Sequence, residues 1–153
     1  MRADRPAPVA PPIANAYVVP DTRLVAGEYP GVPRATADAE AEAKLAACLD
    51  AGIDVLIDLT EDADGLAPYA PRLAALAERR GATVRHERLP IRDMDVCDAA
   101  HMRRVLDAVD AHLAAGRTVY VHCWGGVGRT GIVVGCWLVR RGATGDAALA
   151  EDA

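Results

Sequence analysis

The chain alternates short apolar runs with longer amphipathic stretches, and the breaks fall on glycine, proline and acidic residues. Tyr17-Val18-Val19 and Arg23-Leu24-Val25-Ala26 read as two short strands joined through Pro20-Asp21. Gly27 to Pro33 is a loop. Thr36 is placed to cap a helix running to about Ala51, with Asp38, Glu40 and Glu42 early and Gly52 as its stop. Ile53 to Leu59 is apolar, β-branched and short, the pattern of a buried strand. Thr60 to Pro68 reads as a loop whose acids Glu61, Asp62 and Asp64 face solvent, followed by a helix from about Tyr69 to Arg80 that ends at Gly81. Thr83 to Leu89 alternates as a strand does, and Pro90 to Cys97 is a loop rich in acids. Asp98 then caps a helix whose apolar positions Met102, Val105, Leu106, Val109 and Leu113 keep close to a 3.6-residue period, ending at Gly116. Arg117 to Val121 is one more strand. After a glycine-rich turn, Thr130 to Arg141 is apolar all round, which predicts a central, buried helix.

Strands alternating with helices predict an α/β fold, a central mostly parallel sheet flanked by helices on both faces. The glycine-rich turn falls at the C-terminal end of a central strand, where such sheets bind ligands. Met1 to Ala14 holds four prolines among alanines with no periodicity, and is expected to be a disordered leader. Residues 15–153 then form a single domain, enough chain for a real core. Ala143 to Ala153 begins a further helix and the chain stops, so the expected domain is short at its C-terminus.

Composition narrows the class. Hydrophobic residues at 52% and charged ones at 25% suit a globular protein. No apolar run approaches the ~20 residues of a membrane helix, and the N-terminus lacks the order of a secretory signal. A net charge of −5 speaks against nucleic acid as a partner. The four cysteines Cys48, Cys97, Cys123 and Cys136 show no metal-type pairing. Free thiols fit a reducing compartment, so the chain is expected to be cytoplasmic, a monomer, with no cofactor and no metal.

The chemistry concentrates in Val119-Tyr120-Val121-His122-Cys123-Trp124-Gly125-Gly126-Val127-Gly128-Arg129-Thr130-Gly131. A turn this tight aims backbone N–H groups of Trp124, Gly125, Gly126, Val127 and Gly128 at one point, and a helix N-terminus adds its dipole. Cys123 opens the turn and Arg129 closes it. An ordinary cysteine, pKa ~8.5, is only ~3% thiolate at pH 7, and the thiolate is the nucleophile. Lowering that pKa by ~3 units takes ~4 kcal/mol. A helix dipole gives at most ~2 kcal/mol of it, leaving the rest to converging N–H groups and the Arg129 charge. The planar fork of Arg129 also fits two phosphoryl oxygens, as a lysine does not.

With its Cys-x5-Arg spacing, this segment resembles the signature loop of the cysteine-dependent protein tyrosine phosphatases, nearest to their compact dual-specificity branch. The likeness is strongest over about Thr83 to Arg141. Leu24 to Gly31 and Ile57 to Glu61 also look like small bacterial and kinase-associated members. The resemblance implies attack by Cys123 on phosphorus, a cysteinyl-phosphate intermediate, and hydrolysis assisted by the hydroxyl of Thr130. It makes His122 the loop organiser that helps set the thiol pKa, and places a general acid before the helix that precedes the signature strand. Asp93, 30 residues before Cys123, is the first candidate and Asp95 the reserve. The loop position of Trp124 suggests one wall of the site, with packing alone as the other reading. The implied substrate is a phosphorylated protein or peptide carrying phosphotyrosine, with phosphoserine and phosphothreonine also open. The absence of lysine in the loop weakens a phosphoinositide reading.

Other readings stand beside this one. Gly126 to Gly131 also satisfies the dinucleotide fingerprint, but the 22 residues after it hold no following strand. A phospho-residue binding module without turnover, a phosphatase of small phosphorylated metabolites and a sulfurtransferase remain, though Asp93 and Thr130 count against the last. A disulfide between Cys97 and Cys123 is a further alternative. His86, His101 and His112 read as surface or strand-face residues, and Cys48 and Cys136 as small core residues.

Overall fold

The computed structural model describes residues 11–31, 38–66, 68–91, 98–125 and 128–142. Among the described residues, five strands form one sheet in the order β1-β2-β5-β3-β4. They are β1 (Ala16–Val18), β2 (Leu24–Gly27), β3 (Val55–Asp58), β4 (Arg85–Arg88) and β5 (Val119–His122). β5 pairs in parallel with β2 on one side and β3 on the other, and β4 pairs in parallel with β3. Only β1 runs antiparallel, at the edge beside β2. The helices are α1 (Asp38–Asp50), α2 (Ala70–Arg80), α3 (Ala99–Ala114) and α4 (Gly128–Arg140), with a short 3-10 turn at Asp62–Asp64.

The two-residue period of a strand sends alternate side chains to opposite faces. Leu24, Ala26, Val55, Ile57, Val119 and Val121 meet Val105, Leu106 and Val109 of α3 and Val133, Val134 and Trp137 of α4. Val25, Leu56 and Tyr120 point the other way, onto Leu45 and Cys48 of α1 and Leu73 and Leu76 of α2. Both faces of the sheet are thus covered, which is why its three inner strands read as unbroken apolar runs. β4 is the exception. Its sequence Arg-His-Glu-Arg is half-exposed at the open edge, where charge discourages pairing with another chain.

The helix ends follow local chemistry. Asp98 Oδ1 accepts from the His101 N–H at 2.7 Å, the expected cap of α3. Gly81 takes the left-handed conformation, φ 64°, and closes α2 on the carbonyls of Ala77 and Glu78. The cap proposed for α1, Thr36, lies outside the described residues.

Two expectations need correction. α4 starts at Gly128 rather than Thr130, and it is not buried all round: Ile132 and Val139 are 41% and 53% exposed. Its apolar sequence is used on one face only, where Trp137 is fully buried and its indole N–H donates to Asp110 Oδ1 at 2.8 Å. Of the leader expected over residues 1–14, positions 1–10 lie outside the described residues, while Ile13 packs against the α1–α2 core.

Candidate active site

β5 ends at His122 and α4 begins at Gly128, so the turn between them stands on the C-terminal edge of the sheet's central strand. Cys123 is the first residue of this turn and is buried against the α3–α4 core. Trp124, 48% exposed, stands at the rim. Its carbonyl accepts from the Tyr29 N–H at 2.8 Å, which ties the turn to the segment after β2. Gly126 and Val127 lie outside the described residues. Among the described residues, a Cβ built on Gly125 or Gly128 would meet no further atom within 4 Å, so their packing does not demand glycine at either position.

Arg129 follows in the first turn of α4, its side chain 3% exposed. Its Nη1 donates to Asp64 Oδ2 at 2.9 Å and to the Ile91 carbonyl at 3.0 Å. Asp64 therefore does not face solvent as its loop context suggested. Its side chain is 5% exposed, and the same Oδ2 also accepts from the Glu61 N–H at 2.8 Å. Asp62 does face solvent, and pairs with Arg88 at 2.9 Å. The 3-10 turn that turns Asp64 inward closes on Gly65 at φ 70°, a left-handed position that favours glycine. The Asp64-Gly65 pair at the end of an acidic run is the signal for this turn in the sequence.

Thr130 is fully buried, and its hydroxyl has no hydrogen-bond partner among the described residues. Buried hydroxyls are seldom left so. Asp93, the reserve Asp95 and Cys97 lie in 92–97, outside the described residues. The residue before them is described: Ile91 is anchored by its N–H to the Leu59 carbonyl at 2.9 Å and by its own carbonyl to Arg129. Ile91 itself thus lies beside the guanidinium.

Behind the turn lies a polar cluster that sequence reasoning did not assemble. His122 is fully buried between Tyr29, Tyr69 and Tyr120, with ring centroids 5.4–5.8 Å away. Its Nδ1 is 3.1 Å from the Cys123 carbonyl and its Nε2 is 2.6 Å from the Tyr69 hydroxyl. Burial pushes the imidazole pKa down to about 4, against the pull of Asp58 and of the Cys123 carbonyl. Asp58 is buried too. Burial alone would raise its carboxyl, but the hydrogen bond from His86, the nearby His122 and the bonds from Thr60 outweigh it and hold it at about 2. His86 Nε2 is 2.8 Å from Asp58 Oδ2, while the Thr60 N–H and hydroxyl reach Oδ1 at 2.9 and 2.5 Å. His86 is thus part of this cluster, and His112 is buried on Glu87 at 2.8 Å. Among the described residues no group of three His, Cys, Asp or Glu could hold a metal ion, and no helix is long and apolar enough to cross a membrane.

Comparison with known proteins places this geometry. The sequence profile of the family described as "Polymorphic toxin system, DSP-PTPase phosphatase" matches residues 30–143. Among solved structures, Tk-PTP in its active form is 26% identical with a TM-score of 0.66, covering 91% of this chain and 82% of its own. Kinase-associated phosphatase, with its catalytic cysteine replaced by serine, gives 20% identity and a TM-score of 0.67 over 84% of this chain and 72% of its own. TpbA of P. aeruginosa, in complex with pTyr, gives 22% and 0.64 over 99% and 79%. The last two likenesses speak to the fold.

Proposed function

The chain belongs to the DSP-PTPase phosphatase family of polymorphic toxin systems, and from that premise we propose that it hydrolyses phosphotyrosine esters through a cysteinyl-phosphate intermediate. It is a cysteine-dependent phosphatase of the dual-specificity type; its substrate and the roles of its residues are our reading. Cys123 attacks phosphorus in line with the ester oxygen, the P–O bond breaks, and Asp93 gives the leaving phenoxide its proton. Water then attacks phosphorus while Asp93, now the base, takes its proton and Thr130 assists; the P–S bond breaks, releasing inorganic phosphate and the thiolate. Arg129 and the N–H groups of the turn hold the equatorial oxygens, and positioning of charge does most of the work.

One observation carries this reading: a buried cysteine at the end of the central strand and a buried, anchored guanidinium in the first turn of the next helix flank a single turn. The glycines support it. Among the described residues neither packing nor a positive φ requires glycine at 125 or 128, and glycine there would let a ligand approach the backbone N–H groups closely. The exposed Trp124 offers a flat apolar surface to an aromatic leaving group, and one structural neighbour was solved with pTyr. Cys48, Cys123 and Cys136 are free thiols, which suits a reducing, cytoplasmic setting.

The test is turnover of an aryl phosphate in the presence of a metal chelator. Cys123→Ser should abolish it while leaving the thermal midpoint nearly unchanged, and retained turnover would end the reading. A pre-steady-state burst of phenolate separates it from a binding module, which gives none.

A further inference from the structure

Of the 17 lysine and arginine side chains in this sequence, a single one is lysine, Lys44. The geometry around it gives a reason for the exception. Lys44 lies in the middle of α1 with its side chain 20% exposed. Its Nζ donates to the Tyr29 carbonyl at 2.8 Å and to the Gly31 carbonyl at 3.0 Å, and stands 3.4 Å from Glu28 Oε2. Three acceptors thus converge on one nitrogen, which matches the three N–H donors of an ammonium. No single nitrogen of a guanidinium carries three.

The segment held in this way is built into the molecule. The Tyr120 hydroxyl donates to the Glu28 carbonyl at 2.6 Å. The Tyr29 ring is buried, edge-on to Tyr69 at 5.3 Å and to His122 at 5.7 Å. A Cβ on Gly31 would stand 2.9 Å from Tyr29 Cε2 and 3.2 Å from Tyr69 Cβ, so glycine is what lets the chain cross these two rings. From here the Tyr29 N–H reaches the signature turn, donating to the Trp124 carbonyl at 2.8 Å. Tyr29 therefore has its carbonyl on Lys44 and its N–H on the turn.

We propose that Lys44 is a positioning residue of the phosphatase: by holding Tyr29 from α1, its ammonium fixes the Trp124–Gly125 peptide of the signature turn. In a trans peptide the carbonyl and the following N–H point to opposite sides. With the Trp124 carbonyl turned to Tyr29, the Gly125 N–H points away from Tyr29, as a donor for a phosphoryl oxygen. Without the ammonium, two carbonyls and a carboxylate face one another with no donor between them, and their repulsion moves Tyr29. The Trp124 carbonyl then loses its own donor, and the peptide is free to rotate. This rests on the reading of the turn as a phosphate cradle.

The experiment uses the fact that Trp124-Gly125 is the one Trp-Gly pair in the chain. Protein labelled with 13C at tryptophan carbonyls and 15N at glycine therefore gives a single coupled NMR signal, from this peptide alone. It is recorded for wild type, Lys44→Met and Lys44→Arg, well below their thermal midpoints, with inorganic phosphate as the probe. Alongside it, kcat and KM are measured on an aryl phosphate. Wild type should give one sharp signal whose Gly125 amide shifts as phosphate saturates. In Lys44→Met the Trp124 carbonyl signal should move or split even without phosphate. Phosphate should then bind about tenfold more weakly and kcat/KM fall about tenfold, the size of one hydrogen bond. Lys44→Arg keeps the charge without the three-donor nitrogen and should lie between. A merely structural Lys44 would lower the thermal midpoint and leave this signal and the phosphate affinity unmoved, and that result overturns the proposal. If Lys44→Met does not fold, Lys44→Arg decides, since a wild-type carbonyl signal and wild-type rate in it also overturn the proposal. A wild type that neither binds phosphate nor turns over fails the proposed function, while the Trp124 carbonyl signal in the variants still decides the link from Lys44.

Discussion

Asp64 Oδ2 accepts from Arg129 Nη1 at 2.9 Å and from the Glu61 N–H at 2.8 Å, so the guanidinium is fixed by a carboxylate that is itself fixed. With the Ile91 carbonyl on the same nitrogen, the plane of the fork is set before any substrate arrives. Pre-setting a donor in this way removes an ordering cost from the reaction. Asp64→Ala should lower kcat/KM on an aryl phosphate ~10- to 100-fold, as a charge-assisted hydrogen bond of about 1.5–3 kcal/mol is lost. Asp64→Asn keeps an acceptor atom and should fall in between. The alanine variant also takes from a buried cation the carboxylate that balances its charge, which costs about 3–5 kcal/mol, so inorganic phosphate should raise its thermal midpoint more than it raises that of wild type. Equal shifts in both proteins would contradict this account.

Thr130 presents a buried hydroxyl with no partner among the described residues. An unsatisfied hydroxyl is a cost to the fold, and replacing it by an apolar group of the same shape is nearly neutral or stabilising. Thr130→Val should therefore melt no lower than wild type, yet turn over ~10-fold more slowly at the hydrolysis step. The check is a phenolate burst that outlasts the wild-type burst before steady state.

Asp93 and Asp95 are separated by kinetics on an unactivated phenol ester, where protonation of the leaving group matters most. Asp93→Asn should slow it by ~10²–10⁴, with little effect on an ester whose leaving group is already a weak base. If Asp95→Asn shows that pattern instead, the acid is Asp95.

Stability should fall with acid in a defined window. Folded His122 titrates at about 4 because burial disfavours its cation, while the unfolded residue titrates near 6.5. Between those values the unfolded chain binds the extra proton, so stability rises with pH there and is full above ~6.5. Acidifying from pH 7 to 4 should remove about 3 kcal/mol from this residue. Asp58 behaves in the same sense at lower pH, its contribution being lost as pH falls from ~3.9 to about 2. Urea titrations at pH 7 and pH 5 should show the His122 loss in wild type and a smaller one in His122→Asn.

The sheet was legible because its inner strands are covered on both faces, so Ile53 to Leu59 and Val119 to Val121 are apolar at every or nearly every position. The turn was legible because its residues are contiguous. What the sequence hid are contacts between distant segments. Nothing near Tyr69 points to His122, 53 positions away, and a tyrosine opening a helix reads as packing. Asp64 hid among acids, since only the left-handed turn at Gly65 decides which of them faces inward. α4 misled for the opposite reason: an apolar residue at every turn gives no periodicity from which to tell the buried face from the one carrying Ile132 and Val139.

The central place of β5 has a bearing on how the molecule comes to exist. This strand is the last of the five to leave the ribosome, yet both of its hydrogen-bonding neighbours, β2 and β3, are made long before it. Until it arrives, those two strands hold unpaired edges facing one gap, an arrangement prone to sticking to other chains. Contacts so remote in sequence make slow folders. If Cys123 is the nucleophile, the strand whose arrival closes the sheet is also the one that delivers it to its place.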